Sequence, residues 1–280
     1  MKPEEGIDKV YHYCINELGN FEIWPGYYMW RYGEFKKNFT LFPEDHFNKS
    51  LEIGCGIGYQ AAFLSFISDK VVASDIDLGG MKKHSLGLNI TRDFIHHTGL
   101  KNIEIVTASA ENLPFKDEEF DFIYSSYAFQ YVPDKDKALQ EIKRVLKKGG
   151  TFFCILPTTA GRLGAAIIYY RAAFNKLISQ ATGASKKDKK IIVKHGENNK
   201  VEPKFIHKLL PPPDNDSNSF INELARYCPA RWERLFKKNG FHIIMKKNTA
   251  FSPENSAGNG FFGRIAEKIR SDGLILIAKK

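Results

Sequence analysis

Three glycines placed two residues apart follow an acidic residue in the segment LEIGCGIGYQ, residues 51–60. Gly54, Gly56 and Gly58 in this rhythm indicate a tight backbone turn that lies against a ligand. Asp75 follows about 20 residues later, the spacing at which nucleotide-binding sheets place an acid on the hydroxyls of a ribose. The sequence therefore predicts a site for a ribose-containing cofactor.

The residues around this turn also favour one kind of cofactor over another. A nicotinamide-binding turn carries the pattern GxGxxG, and here Tyr59 stands where that pattern has its third glycine. Glu52 lies two residues before the glycines, where a carboxylate would repel a pyrophosphate and attract a positively charged ligand. Both observations favour a cationic ligand that carries an amino group.

The segments around the turn alternate between apolar runs and helical patterns. This alternation predicts βαβ units and a parallel, doubly wound sheet, which binds ligands at the carboxyl ends of its strands. Asp134 is a good N-cap for the helix predicted at 134–147, and we expect this helix to end with the residues KKGG. A helix at 230–241 and two closing strands, FHIIMKK and GLILIAKK, are predicted further on. The earlier strands are predicted at 50–54, 70–75, 103–108, 120–126 and 151–156, with helices near 59–67, 79–98 and 134–147.

Composition limits the classes of protein that this chain can represent. It has 280 residues, of which 43% are hydrophobic, enough to bury the core of one large domain. Its longest apolar runs fall short of the roughly 18 residues of a membrane span, and MKPEEGIDKV lacks the apolar stretch of a secretory signal. The scattered cysteines indicate a reducing compartment and no metal site, which predicts a cytoplasmic location. They are Cys14, Cys55, Cys154 and Cys228.

The net charge of +9 is unevenly distributed along the chain. Residues 1–156 hold 18 Lys+Arg and 22 Asp+Glu, a net charge of −4, so residues 157–280 carry +13. A basic face of this kind is suited to phosphate, nucleic acid or anionic lipid. A solvated, lysine-rich surface would give the same numbers, and the sequence favours neither interpretation.

Five segments within residues 49–156, taken in order, resemble the class I S-adenosylmethionine-dependent methyltransferases, of the "type 11" group that acts on small molecules, lipids and sugars. The resemblance implies a Rossmann-like, mostly parallel sheet of seven strands, with S-adenosyl-L-methionine as the cofactor. It also implies methyl transfer to a small-molecule, sugar or lipid-linked acceptor. The segments are the glycine loop, Asp75, ASAENLPF (108–115), FDFIYSSYAFQYVPD (120–134) and ALQEIKRVLKKGGTFFCI (138–155).

The resemblance further implies roles for individual residues. Glu52 and the three glycines would hold the methionine part of the cofactor, while Asp75 would accept from the ribose hydroxyls and Ile76 would lie beside the adenine. Many members of the family carry an acid where this chain has Ser109, whose hydroxyl can still accept with less charge assistance. Catalytic residues are not assigned. The implied cofactor-binding set is Glu52, Gly54, Gly56, Gly58, Asp75, Ile76, Ser109, Ala110, Glu111 and Ser125.

Substrate choice is expected to lie in the segments outside this core. In the N-terminal cover, Tyr28 and Arg31 are candidates either for contact with the cofactor carboxylate or for packing on the sheet. An amphipathic helix at 162–178 predicts a lid or a peripheral membrane contact. Further candidates for the pocket are His195, His207 and Asp214. The predicted division is a cover at 1–45, a cofactor-binding core at 46–156, an insert at 157–220 and a C-terminal helix with closing strands at 221–280.

Three other functions fit parts of the sequence. An RNA methyltransferase would suit the basic C-terminal half, although the chain shows no added RNA-binding module. A nicotinamide oxidoreductase would use a similar sheet, but Glu52 and Tyr59 argue against it. A protein that binds S-adenosylmethionine without turnover would fit the lack of an assigned base, and Gln130 stands where many relatives carry a histidine.

Overall fold

Among the residues that the structure describes, seven strands form one sheet with helices on both faces. This computed structural model describes residues 3–17, 27–76, 88–164, 166–167, 170, 219–249 and 273–280. The elements, in chain order, are α1 (Pro3–Glu17), α2 (Tyr27–Phe39), β1 (Phe47–Ile53), α3 (Tyr59–Leu64), β2 (Ser68–Asp75), α4 (Leu88–Thr98), β3 (Ile103–Thr107), β4 (Phe120–Ser126), α5 (Lys135–Val145), β5 (Leu146–Pro157), α6 (Phe220–Arg226), α7 (Pro229–Lys238), β6 (His242–Asn248) and β7 (Gly273–Lys279). Residues 159–164 are also helical.

The strand order is β3-β2-β1-β4-β5-β7-β6, which confirms the predicted doubly wound, mostly parallel sheet of seven strands. Neighbours from β3 to β5 are parallel, whereas β7 runs antiparallel to both β5 and β6. The chain proceeds outward from β1 to β3 and then crosses to β4, on the other side of β1. This reversal opens a crevice at the carboxyl ends of β1 and β4, the place where open α/β sheets bind ligands.

Each face of the sheet is covered by its own apolar core. One core packs α1 to α4 on one face and includes Phe35 of α2, while the other packs α5 and α7 on the opposite face and includes Phe236. Successive side chains of a strand point to opposite faces. In β4, Tyr124 belongs to the first core and Ile123 to the second. This alternation determines which side chains at the strand ends face α2.

Three predicted helices end earlier in the structure than expected. The helix predicted over 230–241 ends at Lys238. The helix predicted over 134–147 ends at Val145, and the KKGG residues lie within β5 instead of closing the helix. Leu146 is extended (φ −77°, ψ 132°) and pairs with Phe120 of β4, so strand pairing outweighs the local helix-end signal. The helix predicted over 59–67 ends at Leu64, because β2 begins at Ser68. The predicted cap is present, since the Asp134 side chain accepts from the Lys137 N–H at 3.0 Å.

The predicted cover at 1–45 contains α1 and α2, and both helices pack against α3. The predicted insert at 157–220 and residues 79–87 of the helix predicted at 79–98 lie largely or wholly outside the described residues. The division into four segments and the cytoplasmic location stay predictions. None of the helices described here combines the length and apolar character needed to cross a bilayer.

Candidate cofactor site

The glycine loop joins β1 to α3 at the carboxyl edge of the sheet. Gly54 has a φ of 76°, and a Cβ there would lie 2.2 Å from the Cβ of Ala128, so the loop after β4 can approach only a glycine. Gly56 has a φ of 53°, and a Cβ there would meet no atom of the described residues within 4 Å. Gly58 is buried and precedes the first residue of α3. As far as the described residues show, the space in front of Gly56 is open, as a ligand cradle requires.

Asp75 ends β2 beside this loop. Its Oδ2 accepts from the Gly56 N–H at 2.9 Å, and its Oδ1 accepts from the Ile76 N–H at 2.7 Å. Burial raises the pKa of this carboxyl above its ordinary value, and the two N–H donors oppose the shift. Because each carboxylate oxygen has two lone pairs, Asp75 can hold the loop and still accept from the hydroxyls of a ribose.

Glu52 lies near the end of β1 with 2% of its surface exposed. Its Oε2 has no hydrogen-bond partner within the described part of the chain. Burial raises the pKa of Glu52 to about 8; the positive charge of Arg31 opposes this shift, while Asp75 and Glu34 add to it. A buried acid with an unsatisfied oxygen is costly in isolation and is suited to an amino group brought by a ligand.

Arg31 of α2 reaches the end of β4. Its Nη1 donates to Ser126 Oγ and to Glu34 Oε2, both at 2.9 Å, and the Ser126 hydroxyl in turn donates to Glu34. The Arg31 side chain is 12% exposed, so its charge acts in a largely desolvated environment. Arg31 places a positive charge at the same sheet edge as Glu52. The ammonium group of a ligand would favour the ionised form of Glu52, so that the two side chains would match the two charged groups of an amino acid.

The predicted adenine side, residues 109–111, lies next to the end of β2, since the Ala108 N–H donates to the Asp75 carbonyl at 2.9 Å. Ser109 Oγ accepts from the Glu111 N–H at 3.2 Å, while Ala110 is buried. Glu111 Oε1 accepts from the Asp134 N–H at 2.5 Å, which ties the segment to the start of α5. Ile76 is 43% exposed at the same edge and can offer its side chain to a flat ring.

Ser125 is the one member of the predicted set whose side chain serves a contact within the sheet. It is fully buried, and its hydroxyl donates to the Ile53 carbonyl at 3.1 Å. Strand alternation turns Ser126, and not Ser125, toward α2. Sequence reasoning missed Ser126 and Glu34. Glu34 could have been found from its i, i+3 spacing to Arg31 on a helix. No local feature of the sequence distinguishes Ser126 from Ser125.

Several other candidates lie elsewhere or outside the described residues. Gln130 is buried, and its Nε2 donates to the Tyr127 carbonyl at 2.7 Å. The structure describes only the start of the apolar face predicted at 162–178. There Ala166 is buried, whereas three other apolar side chains of the face are 41–48% exposed. The lid and the membrane contact stay predictions. The exposed side chains are Leu163, Ile167 and Tyr170. The candidates outside the described side chains are Tyr28, His195, His207 and Asp214.

Comparison with known proteins assigns the core to a family. Residues 51–154 match the model described as "Methyltransferase domain". The sterol 4-C-methyltransferase strm-1 of Caenorhabditis elegans is 32% identical over 107 residues, which are 36% of this chain and 29% of that protein. The ubiquinone/menaquinone biosynthesis C-methyltransferase UbiE of Vibrio vulnificus (strain YJ016) is 40% identical over 104 residues, which are 36% of this chain and 37% of that protein. The matched region is thus about a third of each relative's length.

Solved structures agree on the architecture. An S-adenosylmethionine-dependent methyltransferase from Mesorhizobium loti superposes with a TM-score of 0.53 at 15% identity, covering 88% of this chain and 97% of that one. At this identity the likeness concerns the fold alone. The chain carries a class I S-adenosylmethionine-dependent methyltransferase domain, which confirms the family that its motifs resemble. This assignment implies S-adenosylmethionine as the methyl donor.

Proposed function

We propose that the whole chain is a methyltransferase that transfers a methyl group from S-adenosylmethionine to a small amphiphilic acceptor. One observation carries this proposal: the buried Glu52, whose Oε2 lacks a partner in the described residues, stands beside an open glycine turn and an acid that ends β2. These groups fit the amino group, backbone contact and ribose of the cofactor.

The residues of this edge divide the binding task among them. Glu52 would accept from the amino group and Arg31 would pair with the carboxylate, while Gly54 and Gly56 leave room for the methionine part against the backbone. Asp75 would accept from the ribose hydroxyls. The adenine would then lie beside Ile76, with Ser109, Ala110 and Glu111 on its other side. Gly58 and Ser125 support this arrangement from within the core by shaping the loop and the strand end.

The bound cofactor supplies a methyl group already activated by its sulfonium. What this chain contributes is alignment of the acceptor with that methyl group and exclusion of water from the crevice between β1 and β4. Helix α2 covers the crevice from one face, because Arg31 is anchored to the end of β4 through Ser126. Proximity of this kind can supply a large part of the rate of a displacement reaction.

The names of the two relatives support the acceptor class. One acts in ubiquinone and menaquinone biosynthesis and the other is a sterol 4-C-methyltransferase, and both are C-methyltransferases. We therefore infer a lipophilic or amphiphilic small molecule as the acceptor, methylated on carbon. The basic C-terminal half is compatible with an anionic group on that molecule.

The proposal is tested by isothermal titration with S-adenosylmethionine and its demethylated product, followed by transfer of a labelled methyl group. Binding in the micromolar range, with label appearing in the lipid fraction of an extract, is the expected result. If the label appeared in RNA, the acceptor would be a nucleic acid and not an amphiphilic small molecule. Binding without label in any fraction would indicate a cofactor-binding protein without turnover, and no binding by folded protein would overturn the proposal.

A further inference from the structure

A cavity of about 1050 Å³ lies between the loop after β4 and helices α6 and α7. Its floor includes the buried Trp232 of α7, and the start of α5 forms one wall. The opposite wall consists of one face of α7, along which residues 231, 234, 235 and 238 succeed one another at helical spacing. None of the groups assigned above to the cofactor lines this cavity.

The cavity is lined by an excess of positive charge. Its two acids are already engaged: Asp134 accepts from the Lys137 N–H at 3.0 Å to cap α5, and Asp136 pairs with Lys238 at 2.9 Å. The remaining basic residues, Lys135, Arg226, Arg231 and Arg234, form no ion pair with a carboxylate in the ranges that the structure describes. Four cations therefore line one concave surface.

Two of the arginines lie close enough to Lys135 to influence its charge. The pKa of Lys135 is below its ordinary value, first because the side chain is partly buried and then because Arg226 and Arg231 repel its charge. Among the residues described by the structure, Glu111 is the acid that opposes this shift. Holding like charges together costs free energy, which a ligand with more than one negative charge would offset. Arginine forks match the oxygens of phosphate in particular.

One residue of the cavity wall, Asp134, is hydrogen-bonded directly to the cofactor edge of the sheet. The loop that lines it follows the end of β4, and the Asp134 N–H donates to Glu111, the last residue of the predicted adenine side. We propose that this cavity binds a phosphate or diphosphate group of the methyl acceptor through Arg226, Arg231 and Lys135. That the bound phosphate belongs to the methyl acceptor rests on the proposed function. The existence of the anion site does not.

The test compares the wild-type chain with a double variant, Arg226→Gln/Arg231→Gln, and with Lys237→Gln as the matched control. Lys237 lies on the same helix as Arg231 and is exposed like it, but it does not line the cavity. Titration with inorganic pyrophosphate should show binding that weakens about a hundredfold in the double variant, since each charged hydrogen bond contributes about tenfold. Lys237→Gln should keep the wild-type affinity. Equal affinities in all three proteins, or no binding by the wild type, would overturn the proposal.

Two further ligand arms identify the source of the phosphate. Glucose 1-phosphate represents a soluble acceptor, and phosphatidylcholine vesicles with or without phosphatidic acid represent a lipid one. Binding of either phosphate probe that is lost in the double variant supports the site and assigns its source. S-adenosylmethionine should bind the wild type and the double variant equally. Pyrophosphate binding in a wild type that does not bind S-adenosylmethionine would keep the anion site and refute its assignment to a methyl acceptor.

Discussion

The Asp75 carboxylate holds Gly56, whose N–H donates to Asp75 Oδ2 at 2.9 Å. The residue that ends β2 therefore fixes the loop that follows β1. The carbonyl of Gly56 also accepts from the Thr91 hydroxyl of α4, so β2 and α4 both restrain this one residue. The proposed ribose contact and the proposed methionine loop are coupled through this hydrogen bond, and a change at either residue is expected to affect both.

We expect Asp75→Asn to weaken binding of S-adenosylmethionine by about tenfold to a hundredfold. The amide oxygen can still accept one hydrogen bond, but the charge-assisted bonds to Gly56 and to a ribose are lost. Isothermal titration measures the change. Asp69→Asn, at the other end of β2 with a side chain 63% exposed, is the control and should bind like the wild type. Equal affinities in the two variants would contradict the role given to Asp75.

Gly56→Ala should abolish cofactor binding while costing only the strain of a side chain at positive φ, about 1 kcal/mol. Gly99 offers a matched control, because its φ of 70° is similar and a Cβ there also meets nothing within 4 Å among the described residues. Thermal unfolding should show similar losses of stability in Gly56→Ala and Gly99→Ala. Titration should show a loss of binding in the first variant alone; a similar loss in Gly99→Ala would attribute the effect to strain.

The raised pKa of Glu52 predicts how stability depends on pH. The folded protein keeps the Glu52 proton up to a pKa of about 8, whereas the unfolded chain loses it near the ordinary value of 4.5. The protonated Glu52 therefore stabilises the folded protein fully below about pH 4.5, and this stabilisation is lost as the pH rises to about 8. The free energy of unfolding should fall by about 2–3 kcal/mol between about pH 6 and about pH 8. The charged groups that face Glu52 are Arg31, Asp75 and Glu34.

Urea unfolding of the wild type and of Glu52→Gln, at several pH values, measures this effect. The variant carries no titratable group at this position, so its unfolding free energy should fall less steeply over the same range. Parallel curves for the two proteins would show that Glu52 keeps an ordinary pKa in the folded state.

Arg31→Gln should weaken S-adenosylmethionine binding about tenfold or more through loss of the carboxylate partner. A general disturbance of the Arg31–Ser126–Glu34 contacts would also weaken binding, so the ligand must be varied together with the protein. Decarboxylated S-adenosylmethionine lacks the group in question and should bind the wild type and Arg31→Gln with similar affinity. If the variant lowered both affinities by the same factor, Arg31 would have a structural role and no contact with the carboxylate.

The sequence was sufficient for the sheet and for the backbone of the site, because both follow from local patterns. The apolar runs gave the strands, and the spacing of Gly54, Gly56 and Asp75 gave the loop and the acid beside it. The contact between Arg31 and Ser126 could not be predicted, since it joins positions 95 residues apart and depends on the face that β4 presents to α2. The KKGG error has a related cause, because pairing with β4 overrides a local helix-end signal.

The buried ion pair between Arg162 and Glu223 gives a prediction about stability. Arg162 Nε donates to Glu223 Oε2 at 2.8 Å, with the side chains 7% and 0% exposed, and this pair fixes the helical residues 159–164 to α6. Glu223→Gln would remove a buried carboxylate charge that pairs with the Arg162 guanidinium, which is expected to cost about 3–5 kcal/mol. Urea unfolding provides the measurement.

Glu233→Gln is the matched control for this variant. Glu233 pairs with Lys246 at a more exposed position, with side chains 24% and 47% exposed, so its loss should cost less than about 1 kcal/mol. A double replacement, Arg162→Met with Glu223→Leu, removes both charges and should recover most of the stability lost in Glu223→Gln. If the double replacement were as unstable as Glu223→Gln, the destabilisation would reflect altered packing of α6, and the removal of the Glu223 charge from beside Arg162 would not be its cause.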